Sequence, residues 1–286
     1  MRRYQDAAEL SGRFVSEFGM EAYPHLETLR RVITDPQQRH PGSRMMDFQN
    51  KAGDHERRIM TYVSANLLVP PDLPSFTHAT QVIQAETMRY AYKAWRRMWR
   101  WPGARRCDGV LVWQLNNCWP TISWAVVDYY LIRKPAFYAI SRALRSLDVG
   151  SGELVSENIN IMMLASPNAT TEVLEHHCVK VTTACDGDLN PFIIHAVISV
   201  GGHVVATDTA WPHPLKYMDF SNRNVRVQVS LSSQDDITVS ADLPVKGFVF
   251  EEREGLKLSD NGFDLVPGEK KLVTVGWKGS ATKELL

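Results

Sequence analysis

The sequence predicts an α/β segment followed by an all-β segment, and three observations carry that reading. All but two of the eight tryptophans fall before residue 148, among stretches whose apolar residues recur at spacings of three and four. Within that first part a strand, a long helical excursion, a second strand and a helix follow one another, the rhythm of βα units. Beyond residue 148 the chain breaks into short β-branched runs separated by Gly, Asn, Asp and Pro, the pattern of strands joined by tight turns.

Taken in order, Arg13-Phe14-Val15-Ser16 is a short apolar run that reads as a strand stopped by Gly19 just after Glu17. Residues 54–68 carry Ile59, Tyr62 and Val63 at helical spacing. A longer helix over 80–100 has the stripe Val82, Ile83, Met88, Tyr92, Trp95, Met98 and Trp99, and Pro102-Gly103 ends it. Residues 109–115 are almost continuously apolar, as expected of a strand covered on both faces. Pro135 opens a last helix over 136–147, at the first-turn position that proline tolerates. In the second part the expected strands are 158–164, 178–183, 192–200, 203–208, 225–230, 236–241, 245–250 and 271–275, enough for a β-sandwich. Gly201-Gly202 marks a two-residue hairpin.

Composition narrows the function classes. Lys plus Arg and Asp plus Glu balance at 32 each, so nothing electrostatic draws the chain to nucleic acid or to an anionic membrane. No run reaches the 18–20 apolar residues of a membrane span. The charged start Met1-Arg2-Arg3 leads into no apolar signal region, so a cytoplasmic setting is expected and the sequon at Asn168 is idle there. Cys107, Cys118, Cys178 and Cys185 form no CxxC pair and no disulfide framework.

Two constellations carry chemistry. Glu17 stands at the C-terminal end of a strand, where βα architectures gather their reactive groups. A carboxylate there suits glycosyl transfer as nucleophile or proton donor; the alternative is an ordinary strand-end salt bridge. The string Trp113-Gln114-Leu115-Asn116-Asn117-Cys118-Trp119-Pro120, followed by Trp124, sets indoles beside amides. Indoles such as Trp113 and Trp119 stack on the apolar face of a pyranose, and amides such as Asn116 bond its hydroxyls; the alternative is aromatic core packing. His55-Glu56-Arg57-Arg58-Ile59 lacks the second histidine of a zinc helix. His176-His177 beside Cys178 reads as a surface turn, and Arg96-Arg97 with Arg105-Arg106 as the solvated end of a helix.

The strings Arg13-Phe14-Val15-Ser16-Glu17-Phe18-Gly19-Met20 and Trp113 to Pro120 resemble the β-mannosidases of glycoside hydrolase family 2, of the fungal intracellular type. So do Arg39-His40-Pro41-Gly42-Ser43-Arg44, Lys51-Ala52-Gly53-Asp54-His55-Glu56-Arg57-Arg58 and Lys134-Pro135-Ala136-Phe137-Tyr138-Ala139-Ile140. Order and spacing agree over about residues 10–147, and similarity resumes at 211–217 and 246–268. The resemblance implies the C-terminal part of a (β/α)₈ barrel over 1–148. A shortened immunoglobulin-like sandwich domain over 149–220 and a terminal one over 221–286 would follow. It implies that Glu17 is the nucleophile at the end of the seventh barrel strand, and that Trp113 closes the eighth and lines the terminal mannose subsite. Asn116 and Trp119 are then substrate-binding residues. The implied reaction is retaining exo-hydrolysis of terminal non-reducing β-D-mannose from mannooligosaccharides or N-glycan-derived β-mannosides, with no cofactor and no metal.

The chain departs from that pattern in two respects. A (β/α)₈ barrel takes about 250 residues, whereas about 148 precede the sandwich. The family's acid/base glutamate follows an asparagine upstream of the nucleophile; the one glutamate before Glu17 is Glu9, and it follows Ala8. The expectation is therefore a fragment that lacks the acid/base and is inactive alone. The rival reading is a non-catalytic carbohydrate-binding or interaction module. The sequence leaves oligomeric state open.

Overall fold

The computed structural model describes residues 2–54, 56–99, 107–146, 193–211, 214–218, 224–231 and 235–277. The strands expected at 158–164 and 178–183, the Asn168 sequon, the His176-His177 pair and Arg105-Arg106 lie outside them.

The first part is built on one long helix. Its elements are β1 (Val15–Phe18), α1 (Leu26–Val32), α2 (Arg44–Gln49), α3 (Glu56–Asn66), α4 (Leu73–Arg97), β2 (Val110–Val112) and α5 (Pro135–Ala143). The helix α4 begins earlier than its apolar stripe indicates. The Asp72 side chain caps it by accepting from the Ser75 N–H at 2.8 Å, and a proline occupies its first turn. It is buried on most of its circumference because neighbours cover it all round. Trp95 reaches the Tyr4–Leu10 turn by donating to Ala7 O at 2.8 Å and meets Phe18 of β1 edge-to-face. Tyr23, Leu29, Ile33, Met46, Ile59, Phe76, Met88 and Ile122 fill the main core around it.

Two sequence expectations need correction here. The strand at 109–115 shrinks to β2, and it is not covered on both faces. Among the described residues it pairs with β1 alone, in a two-stranded parallel sheet, and Leu111 and Leu115 are exposed. No closed barrel forms among the described residues, because six more strands would be needed to shut the sheet on itself. Arg96 is not a solvated patch residue. Its guanidinium donates to Ala143 O at 2.6 Å and Ser146 O at 3.1 Å, closing the carbonyl end of α5 as a cation does well.

The second part is antiparallel. A hairpin joins β3 (Ile194–Val200) to β4 (His203–Ala210) through Gly201 and Gly202, both at positive φ as a two-residue turn requires. A four-stranded sheet has the order β5 (Val227–Leu231), β6 (Asp236–Ala241), β10 (Lys271–Trp277), β8 (Leu256–Leu258). The pair β7 (Val245–Phe248) and β9 (Phe263–Leu265) shares its core: Ile237, Val239 and Val273 pack with Phe263 and Leu265. The three-residue strands β8 and β9 are too short to leave a period in the sequence.

A buried ionic cluster joins the two parts. Arg89 of α4 grips Glu86 with two nitrogens, each at 3.1 Å, and Asp208 of β4 at 3.0 Å. Lys93 reaches the same Asp208 oxygen at 2.9 Å. From β7, Lys246 spans Glu86 at 2.8 Å and Asp264 at 3.1 Å, and Trp211 donates to Asp264 at 2.7 Å. Burial opposes the Glu86 charge, yet the Arg89 and Lys246 cations outweigh it and hold the carboxyl well below the usual range. Nearby, Tyr138 of α5 sits in the sandwich core and donates to Glu252 at 3.0 Å.

Candidate active site

Val15 lies opposite Val110 and Phe18 opposite Val112, with an irregularity between those pairs, so the C-terminal ends of β1 and β2 lie side by side. The pairing continues one step further, the Trp113 N–H donating to Phe18 O at 2.8 Å. Glu17 is thereby held beside the end of β2, where Trp113 emerges. The Trp113–Gln114 peptide is cis. Gly19 makes this approach possible: a Cβ there would fall 1.7 Å from the Trp113 carbonyl oxygen.

Glu17 is exposed, and among the described residues its carboxylate has no ion pair and no side-chain hydrogen bond. The strand-end salt bridge weighed for it finds no partner there. Trp113 is 47% exposed and Trp119 41%, so neither indole is buried in a core of this chain. Asn116 is exposed too, its amide 3.5 Å from Asn117 O. Sequence reasoning passed over the neighbouring Asn117, which is buried and fixes the loop. Its Oδ1 accepts from Gln114 Nε2 at 3.0 Å and from Ser123 Oγ at 2.7 Å.

Behind these exposed groups lies a buried polar layer that the sequence did not disclose. Gln84, in the middle of α4, points its amide at the carbonyls of Met20 (2.8 Å), Trp124 (3.0 Å) and Ala125 (3.3 Å). It ties the segment after β1 to the segment after β2. Gln81 and Thr80 hold the backbone of Tyr23 from the same helix. Lys134 is fully buried and donates to Ala22 O at 3.0 Å and Ser123 O at 3.4 Å, the two residues that bridge the segments. Burial drives its ammonium down to about 7, against the pull of Asp128. Glu21 is buried and engaged with Arg58 at 3.2 Å, and the Tyr23 hydroxyl bonds Glu56 at 2.5 Å, so these acids support rather than face the site. The one available signal was the run of polar residues inside the α4 stripe.

A free carboxylate at a strand end, beside exposed indoles and amides, suits attack on a sugar's anomeric carbon while the ring stacks on an aromatic wall. Among the described residues no group of three His, Cys, Asp or Glu gathers as metal ligands would.

Comparison with known proteins places this geometry in a class. Residues 141–217 match the mannosidase Ig/CBM-like domain and residues 220–286 the Ig-fold domain of mannosidases. The fold follows that of a β-D-mannosidase from Dictyoglomus thermophilum, with a TM-score of 0.79 at 22% identity over 98% of this chain and 37% of that one. An exo-chitosanase from Amycolatopsis orientalis shares the fold with a TM-score of 0.61 and 14% identity, over 89% of this chain and 38% of the other. The matches belong to the class of glycosidases with immunoglobulin-like domains.

Over nearly its whole length the chain is similar to β-mannosidases. The β-mannosidase B of Aspergillus niger is 39% identical over 96% of this chain, and that of Aspergillus flavus 40% over 96%. The chain spans 37% of the length of each of these relatives.

Proposed function

We propose that this chain is part of a retaining β-mannosidase that removes terminal non-reducing β-D-mannose from mannooligosaccharides or N-glycan-derived β-mannosides. The observation that carries the reading is the unpaired Glu17 carboxylate held beside Trp113 at the paired ends of β1 and β2. The names of the relatives support the mannoside as substrate. Glu17 attacks the anomeric carbon, the bond to the leaving oxygen breaks, and a second carboxylic acid about 5–5.5 Å away gives that oxygen its proton. Water then attacks the mannosyl–Glu17 ester and returns its proton to the second carboxylate. In this reading the second group comes from polypeptide outside these 286 residues, which also completes the barrel over 1–148. Trp113, Asn116 and Trp119 bind substrate. The domain division 149–220 and 221–286 belongs to the same proposal, and the matched ranges 141–217 and 220–286 support it.

The test uses a chimera in which this chain replaces the matching 37% of the Aspergillus niger enzyme. Glu17→Ala should cut turnover by several orders of magnitude, and azide should restore part of it with an α-configured mannosyl azide, since one displacement now replaces two. A β-configured product would make Glu17 the proton donor instead. Near-normal turnover would leave it a structural residue. The 286-residue chain alone should not hydrolyse aryl β-mannosides, because general-acid help to the leaving group is worth about 10²–10⁴-fold. A non-catalytic saccharide-binding role gains support if that chain binds mannosides while the chimera stays inactive.

A further inference from the structure

We propose that Gln84 is a positioning residue for the glycosyl transfer, holding the strand end that carries Glu17 in place against the segment that follows Trp113. The inference rests on the glycosidase reading and adds which side chain sets the place of the nucleophile.

The two strand ends need such a link. The β1–β2 pair is irregular between Val15 and Phe18, and its last bond runs from the Trp113 N–H to Phe18 O at 2.8 Å. Among the described residues the next backbone bond between the segments, from Ala22 N–H to Ser123 O at 3.1 Å, lies four residues beyond Phe18. Gln84 acts inside that gap. Its Nε2 reaches Met20 O at 2.8 Å, Trp124 O at 3.0 Å and Ala125 O at 3.3 Å. Met20 is the third residue after Glu17, which leaves at most about 11 Å between their Cα atoms. The other end of the link bears on the same spot. A Cβ on Gly19 would fall 3.1 Å from Cδ1 of Trp124, so that indole lies against the backbone between Phe18 and Met20. One amide thus governs both neighbours of Gly19, Met20 along the chain and Trp124 across from it.

The helix behind the amide is fastened. Gln84 is fully buried. Thr80 and Gln81, one turn earlier on the same face of α4, bond the backbone of Tyr23. Two residues on, about 200° round the helix, Glu86 is gripped by Arg89 at 3.1 Å and by Lys246 of the sandwich at 2.8 Å. With α4 held on its far side, the Gln84 amide cannot follow a drifting strand end and instead fixes it. A reacting carboxylate needs support of this kind, because a displacement of about 1 Å can cost about 10²-fold in rate.

The test is the rate at which a 2-deoxy-2-fluoro-β-mannosyl fluoride labels Glu17 in the full-length chimera. The Glu17 carboxylate bonds to the anomeric carbon while the C–F bond breaks and fluoride leaves with its electron pair; the 2-fluorine then slows hydrolysis of the ester. Fluoride departs without a proton, so the rate reads the nucleophile alone. Gln84→Met should slow labelling about 10²-fold and leave the half-saturating concentration unchanged. Gln84→Glu sets a carboxylic acid among the carbonyls, where burial favours the neutral form and only that form donates. It should recover part of the rate, and its rate relative to the unmutated chimera should fall as pH rises. A folded Gln84→Met chimera that labels at the unmutated rate would overturn the proposal, as would one in which only the half-saturating concentration rises. Should Gln84→Met not fold, a Gln84→Glu ratio that stays flat with pH overturns it instead. No Glu17 ester in the unmutated chimera would sink the glycosidase reading and this inference with it, whereas normal labelling in every variant sinks the positioning role alone.

Discussion

Burial sets Lys134 at about 7 against an ordinary 10.5, and it sets Glu252 at about 7 against an ordinary 4.5, despite the hydrogen bonds from Asn261 and Tyr138 that favour its charge. The two groups act on stability in opposite pH windows. Glu252 keeps its proton longer when folded, so its contribution is full below about 4.5 and is lost as pH rises to about 7. Lys134 sheds its proton sooner when folded, so its contribution is full above about 10.5 and is lost as pH falls to about 7. From these two groups the chain should be least stable near neutrality, each limb sloping by up to about 1.4 kcal/mol per pH unit. Urea midpoints between pH 4 and 10 check this. Glu252→Gln should flatten the acid limb and Lys134→Met the alkaline one; an alkaline limb unchanged in Lys134→Met would refute the account. Neither group was legible in the sequence, because an isolated lysine or glutamate looks the same whether solvent or carbonyl oxygens surround it. The strand-end positions of Glu17 and Trp113 were legible, since each stands where a β-rich run meets a turn.

At the level of elements, the helix α4 and the β1–β2 pair depend on each other through two positions. Gly19→Ala would drive a methyl into the Trp113 carbonyl oxygen, so the strand ends must part. The expected outcome is loss of amide exchange protection at Trp113 and at the residues around Gly19, with the sandwich unaffected. Gln84→Leu leaves three carbonyls, two of them buried, without their donor and should cost about 1–3 kcal/mol by chemical denaturation. An apolar replacement that proved neutral would mean the segments hold without it. The start of α4 escaped the periodicity argument because that argument tracked apolar residues, whereas Asp72 and Pro74 announce a helix start by capping chemistry. The strand at 109–115 was read too long for a related reason: a continuous apolar run cannot say which of its faces is covered.

In the whole molecule, the ionic cluster around Arg89 decides how the sandwich sits on the α/β part. Lys246 is nearly buried, and Lys246→Met strands Glu86 and Asp264 with fewer cations; the expected loss is about 3–5 kcal/mol, as for other broken buried pairs. Adding Glu86→Gln should then cost less than its single effect, and strict additivity would show that the two do not couple. Each half was recognisable in the sequence, but this seam was not, since its partners lie more than a hundred residues apart. Phe14, Leu111, Trp113 and Leu115 lie in the open beside the two-stranded sheet. The chain by itself should bind a hydrophobic dye and aggregate with rising concentration. A sharp transition without dye binding would count against that.

The pairing of Val15 with Val110 has a consequence for how the molecule is made. During synthesis β1 leaves the ribosome roughly 95 residues ahead of its partner, an interval of about 5–20 s at ordinary elongation rates. For that time the backbone groups that will face β2 have no native mate, while the intervening helices can form and dock at once. The strand that carries Glu17 must wait for this pairing until β2 arrives.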